Sequence, residues 1–172
     1  MSTAITAVTT FDEIVIEFPD RKMELLLAAD GDDLVGVRFG TAADHGDWLA
    51  GAERDPGHPT IKAARTQLET YGAGQTETFE VPLRLDGSEF QRSVWQALLD
   101  IPYGETTTYG ALASTIGRPG RARAIGGAVG ANPLGIIVPC HRVIGANGSL
   151  TGFGGGLDNK ITLLAREGIT AL

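Results

Sequence analysis

Tyr109-Gly110-Ala111-Leu112-Ala113-Ser114-Thr115-Ile116, then Gly117-Arg118-Pro119-Gly120, then Arg121-Ala122-Arg123-Ala124-Ile125-Gly126-Gly127-Ala128-Val129-Gly130-Ala131 is the stretch that decides the fold. The first segment reads as a short helix, 117–120 as a turn and 121–131 as a second helix. Two short helices around a glycine-containing turn suggest helix-turn-helix geometry. The second helix is unusual, because Ala122, Ala124, Gly126, Gly127, Ala128 and Gly130 leave it nearly devoid of large side chains. Each glycine costs a helix interior roughly 1 kcal/mol against alanine. A sequence that accepts this cost needs something close to that surface, either another helix or a ligand. Arg121 and Arg123 rise from the smooth face, which fits a shallow nucleic-acid groove better than a buried one.

Upstream, the chain changes character at Asp86-Gly87-Ser88. Phe90, Val94, Leu98 and Leu99 form one apolar stripe of a helix capped by Ser88, which Pro102 and Gly104 bring to an end. Downstream runs Asn132-Pro133-Leu134-Gly135-Ile136-Ile137-Val138-Pro139-Cys140-His141-Arg142-Val143-Ile144-Gly145. An apolar, β-branched run delivers a Pro-Cys-His corner to its end, and proline stops regular structure there. Cysteine needs thiolate character to act as a nucleophile, and a nearby imidazole supplies it. Neighbours in an extended chain point to opposite faces, so Cys140 and His141 need not touch, and a bridging water or a tight turn could connect them. A carboxylate usually orients such a histidine. Glu89, Glu105, Asp158 and Glu167 are the candidates, and chemistry alone does not choose among them. The bland reading of Cys140 is a buried, inert small hydrophobe.

The front half reads as a small antiparallel sheet and a helix. Residues 13–18, 22–29 and 34–39 are apolar strands separated by turn residues. Residues 41–59 read as loop. Ile61, Ala64, Leu68 and Tyr71 fall at helical spacing, with Thr60 as cap and Gly72 as stop. Phe79, Val81, Leu83 and Leu85 alternate, which predicts a further strand. Net charge is −7, but residues 1–86 hold 7 Lys/Arg against 16 Asp/Glu and residues 87–172 hold 7 against 5. The back half is therefore free to face an anionic partner. No apolar run approaches the roughly 20 residues of a membrane helix, and residues 1–18 show no signal-peptide pattern. A lone cysteine forms no internal disulfide and no cysteine-based zinc cluster. A cytoplasmic protein without structural metal is expected.

The segment from Pro139 to Gly145 resembles the active-site signature of the O6-alkylguanine-DNA alkyltransferases, also called methylated-DNA–protein-cysteine methyltransferases. The likeness extends through Phe90-Gln91-Arg92-Ser93-Val94-Trp95, Ile101-Pro102-Tyr103-Gly104-Glu105-Thr106, Ala124-Ile125-Gly126-Gly127-Ala128, Asn132-Pro133 and Gly154-Gly155-Gly156-Leu157 to Lys160 and Glu167. It covers about 80 residues, and the front half follows the pattern only loosely. The resemblance implies an α/β (α+β) fold: a small ribonuclease-like antiparallel sheet lobe over 1–87 and a mostly helical lobe with the helix-turn-helix over 88–172.

It also implies a function and a set of roles. The protein would flip O6-alkylguanine out of double-stranded DNA and take the alkyl group irreversibly onto Cys140, once per molecule and without a cofactor. Glu167 would orient His141, which draws the Cys140 proton through a water. Tyr109 would hydrogen-bond the base and donate a proton as guanine leaves. The carbonyls of Cys140 and Val143 would accept from the exocyclic amine, the Gly154 amide would face O6, and Asn132 would brace the cysteine's flanks. The second helix, with Arg121, Ala122 and Gly126, would enter the minor groove, and Arg123 would fill the gap left by the base. Gly135 and Gly154 stand where some relatives carry bulkier residues, which leaves the range of alkyl groups open. A monomer in solution is expected, with cooperative binding along DNA left open. The competing readings are a helix-turn-helix protein that binds alkylguanine without transfer, an operator-binding regulator and a cysteine hydrolase.

Overall fold

Alternating apolar residues in Thr10–Glu17 (β1) place Asp12, Ile14 and Ile16 inward and Glu13, Val15 and Glu17 outward, the period of a half-buried strand. The computed structural model describes residues 7–150 and 152–170, so residues 1–6 of the signal-peptide reading lie outside it. Two compact units emerge, Met1–Asp86 and Gly87–Leu172.

In the first unit, β1 pairs antiparallel with Lys22–Asp30 (β2), and β2 with Asp33–Phe39 (β3). Gly31 and Asp32 make the two-residue turn, with Gly31 at a φ of +59° that suits a tight hairpin. Glu53–Arg54 (β4) adds a short parallel edge to β1, giving the order β3-β2-β1-β4. The central β2 is buried over Leu25–Ala29, as a covered strand must be. Pro59–Gly72 (α1) packs on this sheet through Ile61, Ala64, Leu68 and Tyr71, each fully buried. Asp12 is buried between Arg54, whose Nε donates at 2.9 Å, and Arg65, whose Nη2 also donates to it. The cluster joins β1, β4 and α1.

Three expectations change here. Thr60 is not the cap of α1; His58 takes that place with Pro59 at the first helical position, and the Thr60 hydroxyl donates to the Asp32 carbonyl at 2.8 Å. Residues 79–85 do not form a strand. Their one ladder contact is a bridge from Leu83 to Leu34, where Leu34 donates to the Pro82 carbonyl and Arg84 donates to Leu34. Pro82 has no N–H to extend the ladder. The 41–59 loop holds a single 3₁₀ turn, Ala42–His45, besides β4.

The second unit begins with Glu89–Leu99 (α2), whose Ser88 cap is a reciprocal box: Gln91 N donates to Ser88 Oγ at 3.1 Å and Ser88 N to Gln91 Oε1 at 3.0 Å. Thr107–Thr108 (β5) leads into Tyr109–Thr115 (α3), capped by the Thr108 hydroxyl. Gly117 and Gly120, at φ of +73° and +79°, turn the chain into Ala122–Gly130 (α4). Trp95 of α2 is buried and donates Nε1 to the Ala128 carbonyl at 2.8 Å, pinning α4 to α2. Val143–Ile144 (β6) pairs in parallel with β5, and Leu157–Arg166 (α5) closes the fold. The mixed α/β character is as expected. The 134–138 run is not extended, however: Val138 N reaches back to Leu134 O at 2.9 Å and Ile137 N to Gly135 O at 2.8 Å. Ile136 sits at a φ of +69°, the one positive value for a non-glycine among the described residues. For a β-branched residue that conformation costs on the order of 1–3 kcal/mol and persists only where packing dictates it. Ile136 is buried, which supplies that packing.

Candidate active site

Pro139 ends the buried turn and starts another. Cys140–Arg142 is a single 3₁₀ turn, with Arg142 N donating to Pro139 O at 3.1 Å and Val143 N to Cys140 O. The backbone from Cys140 to His141 is therefore a tight turn rather than an extended strand. Asn132 holds the approach: its Nδ2 donates to Val138 O at 2.8 Å, and its Oδ1 accepts from Leu134 N at 3.0 Å. The β5–β6 pairing sets Thr108, and so the start of α3 with Tyr109, beside the strand that leaves the turn.

Of the four acidic candidates, Glu167 is the one the fold selects. It lies at the C-terminal end of α5, buried, with Oε1 at 2.8 Å from His141 Nε2. Burial alone would push its carboxyl up. Hydrogen bonds from His141 and Arg142 outweigh burial and hold it at about 2. An ionised carboxylate only accepts, so Nε2 carries the proton and Nδ1 keeps its lone pair. His141 Nδ1 is buried and has no hydrogen-bond partner among the described residues. Burial pushes the imidazole below its ordinary value, against the pull of Glu167 and with the help of the Arg142 and Lys160 charges.

Cys140 is 7% exposed. Burial raises its thiol, while Asn132 and the Lys160 ammonium pull it the other way. The net direction is up, so the resting group is a thiol that needs a base. A neutral imidazole with an open nitrogen in the adjacent position is the chemistry such a thiol requires.

Two buried cations have no place in the reading of the sequence. Arg142 donates Nε to Glu167 Oε2 at 2.9 Å, Nη2 to Oε1 at 2.8 Å and Nη1 to the Ile101 carbonyl at 2.7 Å. Lys160, buried on α5, donates Nζ to the Val143 carbonyl at 2.7 Å. Their only signal was membership of the matching segments, since a charged side chain ordinarily reads as exposed. The carbonyls of Cys140 and Val143 thus each have one acceptor position taken, and each keeps a second lone pair.

The remaining predicted residues sit on α4 and in the loop before α5. Arg121, Ala122, Arg123, Ala124, Gly127 and Gly130 are exposed, whereas Ile125, Ala128 and Val129 face the core. A Cβ built at Gly127 or Gly130 would meet nothing within 4 Å, and one at Gly126 would meet only the Tyr109 ring, at 3.8 Å. Gly127 and Gly130 therefore do not serve packing against another helix, whereas Ala128 faces α2 and Gly126 lies near the Tyr109 ring of α3. Gly154 is exposed, with open space around it.

Fold and site define a helix-turn-helix protein with one buried cysteine, followed in the chain by a histidine that a buried carboxylate orients. Residues 89–169 match the family described as 6-O-methylguanine DNA methyltransferase, DNA binding domain. A methylated-DNA–protein-cysteine methyltransferase of Haemophilus influenzae is 42% identical over 155 residues, covering 88% of this chain and 84% of the relative. The one from Mycolicibacterium paratuberculosis is 63% identical over 101 residues, and the match spans 59% of this chain and 61% of the relative's length. The crystal structure of Mycobacterium tuberculosis OGT in complex with DNA is similar at a TM-score of 0.79 and 46% identity, covering 92% of both chains. The chain belongs to the methylated-DNA–protein-cysteine methyltransferase family. No helix of the described residues is long and apolar enough to cross a membrane.

Proposed function

We propose that this protein repairs DNA by taking the alkyl group from O6 of a damaged guanine onto Cys140 Sγ. The observation that carries this reading is the buried His141, oriented through Nε2 by Glu167, without a partner at Nδ1, and next in the chain to the buried Cys140. His141 Nδ1 draws the Cys140 proton through a water. The sulfur lone pair then attacks the alkyl carbon, the carbon–O6 bond breaks, and its electron pair leaves with guanine. Tyr109 supplies the proton that the departing base takes up. The product is a thioether, which no group in the site can cleave, so each molecule acts once.

The base must leave the stack to reach Cys140, at a cost of a few kcal/mol. The exposed face of α4, with its small residues, supports minor-groove entry, and Arg123 would occupy the gap left by the base. The carbonyls of Cys140 and Val143, the Gly154 amide and Tyr109 would then read the everted guanine. We also propose that the division of labour follows the two units, with transfer and DNA binding in 87–172.

Incubation with a duplex carrying O6-methylguanine, followed by digestion and mass analysis of the Cys140 peptide, tests this. One methyl should replace one hydrogen and saturate at one per protein. Repeated turnover, or binding with an unmodified Cys140, would sink it.

A further inference from the structure

Glu167 serves two partners with one carboxylate. Arg142 holds it by two parallel bonds, at 2.9 and 2.8 Å, and His141 Nε2 shares the same Oε1 at 2.8 Å. The third arm of the guanidinium reaches the Ile101 carbonyl at 2.7 Å. Ile101 opens a loop that also grips the end of α5: the Tyr103 hydroxyl donates to the Arg166 carbonyl at 2.8 Å. Gly104, in the same loop, has a φ of +81°, and a Cβ there would stand 3.4 Å from the Glu167 carbonyl. One loop therefore fixes both the arginine and the backbone of the glutamate.

The side chains of His141 and Glu167 are 0% exposed and that of Arg142 is 8% exposed, so water screens little. In that setting the local charge balance decides where protons sit. A lone buried carboxylate draws a proton onto the imidazole it touches. A carboxylate already matched by a bidentate guanidinium has no such need. The charged groups facing His141 are Lys160 from α5, Glu167 at its C-terminal cap and Arg142 from its own turn. Arg142 tips this set away from a charged ring.

We propose that Arg142 is a positioning residue for alkyl transfer: it holds Glu167 so that the carboxylate orients His141 without drawing a second proton onto the ring, and Nδ1 stays an open base. The proposal rests on Cys140 being the alkyl acceptor, but its first readout does not. In the full chain, NMR of the His141 ring across pH about 5 to 8 should show a neutral ring protonated at Nε2 at neutral pH. Arg142→Gln should raise the His141 titration by about one pH unit or more. The acid limb of the transfer rate should move up with it, with a loss that approaches roughly tenfold at pH values below both titrations. Arg142→Lys keeps the charge and should leave that limb near the wild-type position. Should Arg142→Gln not fold, the double change with Glu167→Gln removes both buried charges together, and His141 should then titrate no higher than in the wild type.

An imidazolium at neutral pH in the wild type would overturn the proposal. So would an unmoved His141 titration in Arg142→Gln, or equal losses of rate and melting temperature in the Gln and Lys variants with no change of pH profile. If the wild type left Cys140 unmethylated, the transfer reading would fall, while the ring titration would still decide what Arg142 does to His141.

Discussion

Each unit of this protein buries one carboxylate among two basic side chains, and the two clusters do different things. Asp12 meets Arg54 and Arg65, both permanently charged. The Arg54 side chain is 61% exposed, so that ion keeps much of its hydration. Every bond in the cluster ties one element to another, β4 and α1 to β1, and no nitrogen is left that can take up a proton. Glu167 meets an arginine and a histidine, both buried. Replacing one guanidinium by an imidazole adds a group that changes charge near neutral pH and has a second nitrogen to offer. A buried acid is thus a fastener or part of a proton path according to its partners. The acid alone does not tell which.

The sharpest way to break this comparison is to remove each acid in turn. Glu167→Gln takes the charge from the acceptor of His141 and leaves Arg142 without its counter-ion, so transfer to Cys140 should slow by roughly a hundredfold or more, with damaged-duplex affinity retained. Asp12→Asn should lower the melting temperature and leave the single-turnover rate of folded protein unchanged. Single-turnover transfer and thermal melts on both variants measure this. A wild-type rate in Glu167→Gln would remove that carboxylate from the proton path.

The contrast also bears on what a sequence can reveal. The stripe of Ile61, Ala64, Leu68 and Tyr71 is local, and so is the Ser88 cap; both are found where the pattern puts them. Cys140 and His141 were legible as candidates because they are contiguous. Glu167 was one of four candidates until the fold brought it across 26 residues of chain. Arg142 and Lys160 stayed hidden because each is matched by a partner 25 and 17 residues away, and a lone charge in a sequence reads as solvated. Thr60 failed as a cap for the same reason, its hydroxyl being taken by Asp32 from a different strand turn. The alternation of 79–85 was genuine, but Pro82 left the ladder a donor short. Long-range pairing is what local pattern cannot encode.

A second test uses pH, where the effect is of intermediate size. The Glu167 carboxyl lies at about 2 in the folded protein against 4.5 ordinarily. A depressed carboxyl contributes stability that is fully present above its unfolded value, about 4.5, and is lost as pH falls toward 2; here that is on the order of 3 kcal/mol. His141 acts in the same direction, since its folded value is also depressed. The unfolded chain begins to take up that proton near its ordinary value of 6.5, so the loss starts there on acidification. Melting temperature followed from neutral pH downward should fall in two stages, and Arg142→Gln should flatten the first by raising His141. A first stage of full size in that variant would contradict the charge balance assigned to Arg142.

The smallest expected effect separates the two units through a glycine in each. Gly72, at the end of α1, has no room: a Cβ there would stand 2.5 Å from Ile16 Cγ2 and 2.9 Å from the Glu17 carbonyl. Gly127, on the exposed face of α4, has nothing within 4 Å of the same position. Gly72→Ala must therefore push α1 off β1 and destabilise the fold. Gly127→Ala removes the entropy cost of a helical glycine and should stabilise it by about 0.5–1 kcal/mol. If the α4 face enters a DNA groove, the added methyl occupies space meant for the duplex, and affinity for damaged DNA should fall several-fold while the melting temperature rises. Opposite signs in one variant cannot come from a folding defect. Calorimetry paired with a titration of labelled duplex measures both, and an affinity that holds or improves as stability rises would show that the smooth face of α4 is not where DNA lies.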